Sequence, residues 1–425
     1  MKEQANGFNP EHCRVYGKLF GPMNRVLVNL GGWRRLAHRR YLRLLVAVAI
    51  LSPLIFYCLH GSSILSENDL NENQGLQSVD VGRPKIYEST SGKGNDILLT
   101  LVRNSELIDM IDTIERFERS FNSKYHYQWW FMNDEEFTEK FKEEVSSRVS
   151  GGARFIKVPG EMWTYPANID KEKAAASRED YSKKKVMYGE SESYRFMCRF
   201  NSGLFYKLNE LRDVEYYWRI EPGVHFDCGI TYDVFQYMRQ NNKLYAFNMA
   251  LQEDVRTIPS LWNTTIEFFK KNPQYLADKN NAEFVTDDGG SSYNLCHFWS
   301  NFEIANLRFY RSDAYDKYFQ YLDDKGGFFY ERWGDAPVHT LAASFMLPVD
   351  SLHFVANTGY MHNPNQDCPV DEEVRDILHC DCNPRKDFTW HKWSCVSKFF
   401  DVNNYPRPTS VANLKEYYPY VLENT

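Results

Sequence analysis

Positive charge is scarce in this chain. Of its 425 residues, 50 are Lys or Arg and 57 are Asp or Glu, a formal net charge of −7. A nucleic-acid partner needs a basic face to neutralise phosphates, so no nucleic acid is expected among its partners. Disorder of the whole chain is also excluded, because 43% hydrophobic and 25% charged residues supply a large core. The charge deficit is uneven. Residues 1–43 carry nine Lys/Arg against two Asp/Glu, or +7, which leaves −14 for everything after.

The step in charge falls at YLRLLVAVAILSPLIFYCL, residues 41–59, where only Arg43 is charged. About 17–25 apolar residues cross a bilayer, so a transmembrane helix is expected, assigned to 44–60. Pro53 is tolerated in such a helix. Arg34, Arg35, Arg39, Arg40 and Arg43 precede it and Ser62, Ser63, Glu67 and Asp69 follow, so residues 1–43 form a cytosolic basic tail and the body is lumenal. No small-x-small cleavage site ends the run, which favours an uncleaved signal anchor over a signal peptide. Residues 61–94, rich in Ser, Asn, Gly and acids, read as a stem.

From residue 95 to 425 the texture is that of a folded domain. NDILLTLVRN, YHYQWWFMND, ARFIKV, VEYYWRIEP and KLYAFNMAL read as strands. ELIDMIDTIERFERSF, EEFTEKFKEEVSS, SYRFMCRFNSGLFYKL and YDVFQYMRQ alternate with them as helices. The alternation predicts an α/β, Rossmann-type, mixed but mainly parallel sheet flanked by helices, with ligands beyond the carboxyl ends of the strands.

Zinc-type cysteine pairs are missing. Cys380 and Cys382 stand one residue apart, so disulfides tying down a C-terminal region are expected, despite His379 and His391 nearby. Seven cysteines lie in the lumenal part, an odd number, which leaves at least one thiol free or paired with another chain. Asn263-Thr264-Thr265 is the one glycosylation acceptor there.

Four stretches hold polar groups in awkward places. In WRIEPGVHFDC a strand stops at Glu221, and Pro222-Gly223 fix that carboxylate at the mouth of a turn, either as a ligand or as a cap for a neighbouring amide. NLCHFWSNFEIANLRFYRS embeds Glu303 among Phe298, Trp299, Phe302, Ile304 and Leu307, facing water on one side or held inside for a purpose. GGFFYERWGDAPVHTLAASF sets Glu331, Arg332 and Asp335 before an apolar helix, and a simple pairing of Arg332 with one of those acids is one reading of the cluster. NTGYMHNP puts His362 in a turn between Gly359 and Pro364, as a structural or a functional histidine.

The segments LVRN, ESYRFMCRFNSG, YWRIEPGVHF, CHFWSNFEI, GGFFYERWGDAPVH and GYMHNP closely resemble the fungal Golgi α-1,2-mannosyltransferases of glycosyltransferase family 15. The resemblance covers almost all of residues 95–370 in the same order. It implies a GT-A-like fold, a GDP-mannose donor, a Mn²⁺ cofactor, retention at the anomeric carbon, a mannosylated glycoprotein acceptor and a single-pass type II Golgi membrane protein. It makes Glu221 and His362 the metal ligands and Glu303 the nucleophile, or, on a front-face route, an electrostatic stabiliser. Arg103 contacts the nucleotide, and Tyr188, Tyr194 and Asp335 line the donor or acceptor pocket. Gly223 stands where the family more often has Asn, the tail is longer than usual, and the region after Cys368 is divergent. Three rival readings remain open here: transfer of mannosyl phosphate, a silent lumenal glycan-binding scaffold, and a glycosidase using Glu221 and Glu303. The last leaves His362 without a role.

Overall fold

The computed structural model describes residues 95–413. The expected tail, anchor and stem lie outside the described residues. Among the described residues no helix is long and apolar enough to cross a membrane.

The chain opens with β1 (Ile97–Leu101), α1 (Leu107–Phe117), β2 (Gln128–Asn133), α2 (Glu139–Ser146) and β3 (Ala153–Lys157), followed by α3 (Lys171–Lys183), α4 (Glu192–Gly203) and β4 (Tyr216–Ile220). After a turn come β5 (His225–Phe226), α5 (Val234–Gln240), β6 (Tyr245–Phe247), β7 (Ala250–Gln252) and α6 (Leu261–Lys271). The last part holds β8 (Cys296–Phe298), β9 (Phe302–Asn306), α7 (Asp313–Lys325), α8 (Asp335–Met346), β10 (Leu352–Phe354), β11 (Tyr360–His362), β12 (Asn365–Gln366), α9 (Glu372–Ile377) and α10 (Val396–Val402).

Seven strands form the main sheet in the order β10-β6-β9-β4-β1-β2-β3. The pairs β4–β1, β1–β2, β2–β3 and β10–β6 are parallel, and β9 alone runs antiparallel between β4 and β6. This is the expected mixed, mainly parallel sheet. Alternation along the strands sends Leu98, Trp129, Phe131 and Trp218 to a core under α1 and α5, and Ile97, Leu99, Trp130 and Tyr217 to a second core under α4, α7 and α8. Both faces are therefore covered, as a mainly parallel sheet requires.

KLYAFNMAL is two strands rather than one. Tyr245–Phe247 stays in the main sheet, whereas Ala250–Gln252 leaves it to pair with β8. Between them Asn248 is fully buried and bonds Thr358 Oγ1 through Nδ2 at 3.2 Å, a side-chain tie that a continuous apolar strand would not make.

The cysteines form disulfides Cys228–Cys380, Cys296–Cys395 and Cys368–Cys382. The sulphurs of Cys228, Cys380 and Cys382 crowd within 4.8 Å of one another because two of these bonds are neighbours. The odd cysteine is Cys198, buried in α4, whose thiol burial and the Asp335 charge push up to about 12. Asn263 lies exposed on α6.

Candidate active site

Strand β4 supplies the site's spine. Its period of two puts Tyr217 and Arg219 on one face, and Glu221 follows in phase just past its end. Pro222 has no N–H to continue the ladder, and Gly223 takes φ +78, a conformation that side chains other than glycine's rarely adopt. The Gly223 amide donates to the Asp109 carbonyl at 3.4 Å, which docks the turn on α1.

Glu221 is 26% exposed. Arg219 Nη2 donates to its Oε1 at 2.5 Å, and its Oε2 lies 3.7 Å from His362 Nε2. His362 is not in a turn, as the sequence suggested, but at the end of β11. Strand β11 pairs with β5 in the register Tyr360↔Phe226 and Met361↔His225, and this small sheet carries the histidine beside the turn after β4. The approach needs Gly359, because a Cβ there would stand 2.5 Å from the Cys228 amide nitrogen. His362 Nδ1 is buried and has no hydrogen-bond partner.

The same Arg219 reaches Asp335 at the first turn of α8, Nη1 donating to Oδ2 at 2.5 Å, and Ser300 Oγ donates to that oxygen at 2.8 Å. Burial pushes the Asp335 carboxyl up, but Arg219, His339 and Ser300 more than offset it and leave it below the usual range. Burial likewise works against the Arg219 cation, and Asp335, Glu221 and Glu303 overcome that and raise it well above its ordinary value.

Glu303 sits on β9 directly opposite Arg219 in the strand register and is completely buried. Tyr217 donates a short bond to its Oε1, Tyr310 donates to Oε1 at 2.9 Å, Tyr245 donates to Oε2 at 2.7 Å, and His339 Nδ1 lies 2.7 Å from Oε2. The other nitrogen of His339 stands 3.0 Å from the Asn201 carbonyl. Burial raises the Glu303 carboxyl, yet His339 and the hydroxyls of Tyr217 and Tyr245 hold it below its usual value.

Three carboxylates, Glu221, Asp335 and Glu303, therefore gather around one guanidinium, with the imidazoles of His339 and His362 beside them. Glu221 Oε2, with no hydrogen bond of its own and 3.7 Å from His362 Nε2, makes an oxygen-plus-imidazole pair that suits a divalent cation such as Mn²⁺. Glu221 and His362 are thus the residues that could hold it.

Arg103, Tyr188 and Tyr194 form a separate group. Arg103 is exposed just beyond β1, with Nη2 donating to Ser193 Oγ at 3.1 Å. Tyr188, at φ +56 and 54% exposed, stacks on Tyr194 with centroids 4.5 Å apart. Arg332 lies over the other aromatic contact, 5.2 Å from the Tyr194 centroid, while its nearest ion-pair partner is Glu253 at 3.6 Å rather than Glu331 or Asp335.

Sequence reasoning missed Arg219, His339 and the tyrosines around Glu303. Two signals were available: Arg219 is two strand positions before Glu221, and His339 is one helical turn after Asp335. No local pattern announces Tyr217, Tyr245 and Tyr310, which three different elements bring together.

Residues 61–404 match the family described as glycolipid 2-alpha-mannosyltransferase. The glycolipid 2-alpha-mannosyltransferase 1 of Candida albicans is 54% identical over 309 residues, 73% of this chain and 72% of that protein. The alpha-1,2 mannosyltransferase KTR1 of Saccharomyces cerevisiae is 44% identical over 377 residues, 87% of this chain and 95% of that protein. Among solved structures, the Mn/GDP form of core-mannan synthase A from Aspergillus fumigatus matches with a TM-score of 0.69 and 37% identity, covering 79% of this chain and 92% of that one. Breadth of match, identity and shared architecture agree, and the chain belongs to the glycolipid 2-alpha-mannosyltransferase family.

Proposed function

We propose that this protein is a retaining α-1,2-mannosyltransferase that moves mannose from GDP-mannose to a mannose-terminated glycan of a glycoprotein, with Mn²⁺ as cofactor. The observation that carries the reading is the Glu221–His362 pair, one carboxylate oxygen pinned by Arg219 and the other turned to the imidazole. The names of the relatives and the Mn/GDP form of the Aspergillus protein support it.

The cation, when bound, neutralises charge that builds on the departing GDP. Arg103, exposed beyond β1, is placed for the nucleotide, and the stacked Tyr188 and Tyr194 offer ring faces with polar tips to a sugar. Asp335 accepts from Arg219 and Ser300 at Oδ2, which leaves Oδ1 for a sugar hydroxyl. Glu303 keeps a fixed negative charge in the floor of the site. Its full burial and four hydrogen-bond partners oppose nucleophilic attack, which favours the front-face route with Glu303 as stabiliser of positive charge on the mannose ring.

We further propose that it is a single-pass type II protein of the Golgi membrane with its catalytic body in the lumen. The basic tail before the apolar run supports this, as do three disulfides, which persist in oxidising compartments.

Radiolabelled GDP-mannose, methyl α-mannoside and Mn²⁺ test the reading on the lumenal body. An α-1,2-linked dimannoside that disappears with EDTA is the expected product. Folded protein that gives no transfer, or transfer indifferent to EDTA, would overturn it.

A further inference from the structure

Arg219 is shared between two carboxylates that face different parts of the cleft. Its Nη2 holds Glu221 and its Nη1 holds Asp335, each at 2.5 Å, while the side chain itself is 12% exposed. A guanidinium is planar, so two nitrogens of one fork cannot be re-aimed independently. Strand β4 fixes its backbone by pairing with β1 on one side and β9 on the other. A stronger pull on one carboxylate must therefore change the grip on the other. The floor beneath allows little slack, since Glu303 lies directly across the ladder from Arg219.

We propose that Arg219 is a positioning residue that couples the metal side of the cleft to the sugar side, so that filling one tightens the other. The inference rests on the functional reading above, in which Glu221 faces the cation and Asp335 the acceptor. A cation on Glu221 Oε2 draws charge from that carboxylate and weakens its hold on Arg219. The guanidinium then engages Asp335 more fully through Oδ2, which fixes the orientation of Oδ1 toward the sugar. By linkage the acceptor tightens the cation by the same factor. Lysine, a single point charge, cannot bridge both carboxylates in this way.

The test is binding rather than turnover. Methyl α-mannoside affinity is measured by calorimetry on the GDP-loaded lumenal body with and without Mn²⁺, and Mn²⁺ affinity by electron paramagnetic resonance with and without the sugar. In the wild type each ligand is expected to tighten the other by about fivefold or more, by equal factors. In Arg219→Lys both ligands bind but the factor falls to one. Glu221→Gln gives an independent readout that needs no change at Arg219: it removes the charge on the metal side alone and leaves a neutral sugar no direct charge to sense. It is expected to tighten methyl α-mannoside several-fold without metal, in the direction Mn²⁺ acts on the wild type. Independent binding in the wild type, an undiminished factor in folded Arg219→Lys, or unchanged sugar affinity in Glu221→Gln would each overturn the coupling. A wild type that binds neither Mn²⁺ with GDP nor the sugar would instead overturn the functional reading, and the coupling with it.

Discussion

Glu303 lies on β9 and Glu221 just past the end of the neighbouring β4, and the two live in opposite surroundings. Glu303 is wholly buried, with hydrogen-bond partners from three tyrosines and a histidine. Glu221 is partly exposed, with one strong partner in Arg219 and one oxygen facing an imidazole too far away for a hydrogen bond. The first carboxylate is complete without a ligand. The second, whose Oε2 has only His362 Nε2 nearby at 3.7 Å, is not. A buried charge that has all its partners rigidifies a core, whereas a half-satisfied one at a cleft marks where something is meant to bind.

The largest expected effect separates the two halves outright. Glu221→Ala should reduce Mn²⁺-dependent mannosyl transfer to background while the denaturation midpoint stays near that of the wild type; retained metal-dependent transfer would remove Glu221 from the open half. Glu303→Gln should lower turnover by about 10²–10³-fold with little change in GDP affinity, and should also lower the midpoint, because the amide cannot accept from all four partners. A loss of GDP affinity with turnover preserved would move Glu303 to the binding side. A fluorinated GDP-mannose analogue should leave the intact mass of the wild type unchanged; a mannosyl adduct on Glu303 would show that the buried carboxylate attacks after all.

A third change probes what supports the open half. Burial and the neighbouring Asp387 raise the Asp367 carboxyl to about 7, and Asp367 holds the segment before His362 by accepting from the Thr358 amide and hydroxyl at 2.9 and 3.0 Å. An acid whose folded value lies above its unfolded value, about 3.9, favours folding most below the unfolded value, and that advantage is lost as pH rises toward 7. The wild type should thus lose stability from pH 4 to 7 through this group, on the order of a few kcal/mol. Asp367→Asn should flatten that part of the profile, and parallel profiles for the two proteins would contradict it. The smallest effect is expected from Tyr245→Phe, which deletes one donor to Glu303 and should cost about 1 kcal/mol by chemical denaturation. A cost near zero would mean that the floor is less tightly knit than its geometry implies.

Much of the sheet was legible because its strands are apolar runs bounded by turn residues, as in NDILLTLVRN and VEYYWRIEP. Their spatial order was not, since β9 inserts antiparallel between β4 and β6 through pairings distant in sequence. Glu221 could be singled out because Pro222-Gly223 is a local signal. His362 could be singled out too, but its meeting with Glu221 depends on the β5–β11 register, which no window of sequence contains. Arg219 stayed hidden because one charge in an apolar strand reads as a surface position until both faces are known to be covered. Tyr217 and Tyr245 were invisible because aromatic residues in strands are ordinary, and Tyr310 because it ends a single helical turn that follows β9.

The disulfides add a constraint in time. Cys228, just past the metal-side turn, is bonded to Cys380, and Cys296, just before the strand of Glu303, reaches Cys395. The partner cysteines lie 152 and 99 residues further along, so the first strands of the sheet leave the ribosome before either bond can form. A nascent chain, or one released early, would carry much of the sheet but no finished grip on a cation. The two covalent ties nearest the cleft therefore wait on both the synthesis and the oxidation of their distant partners.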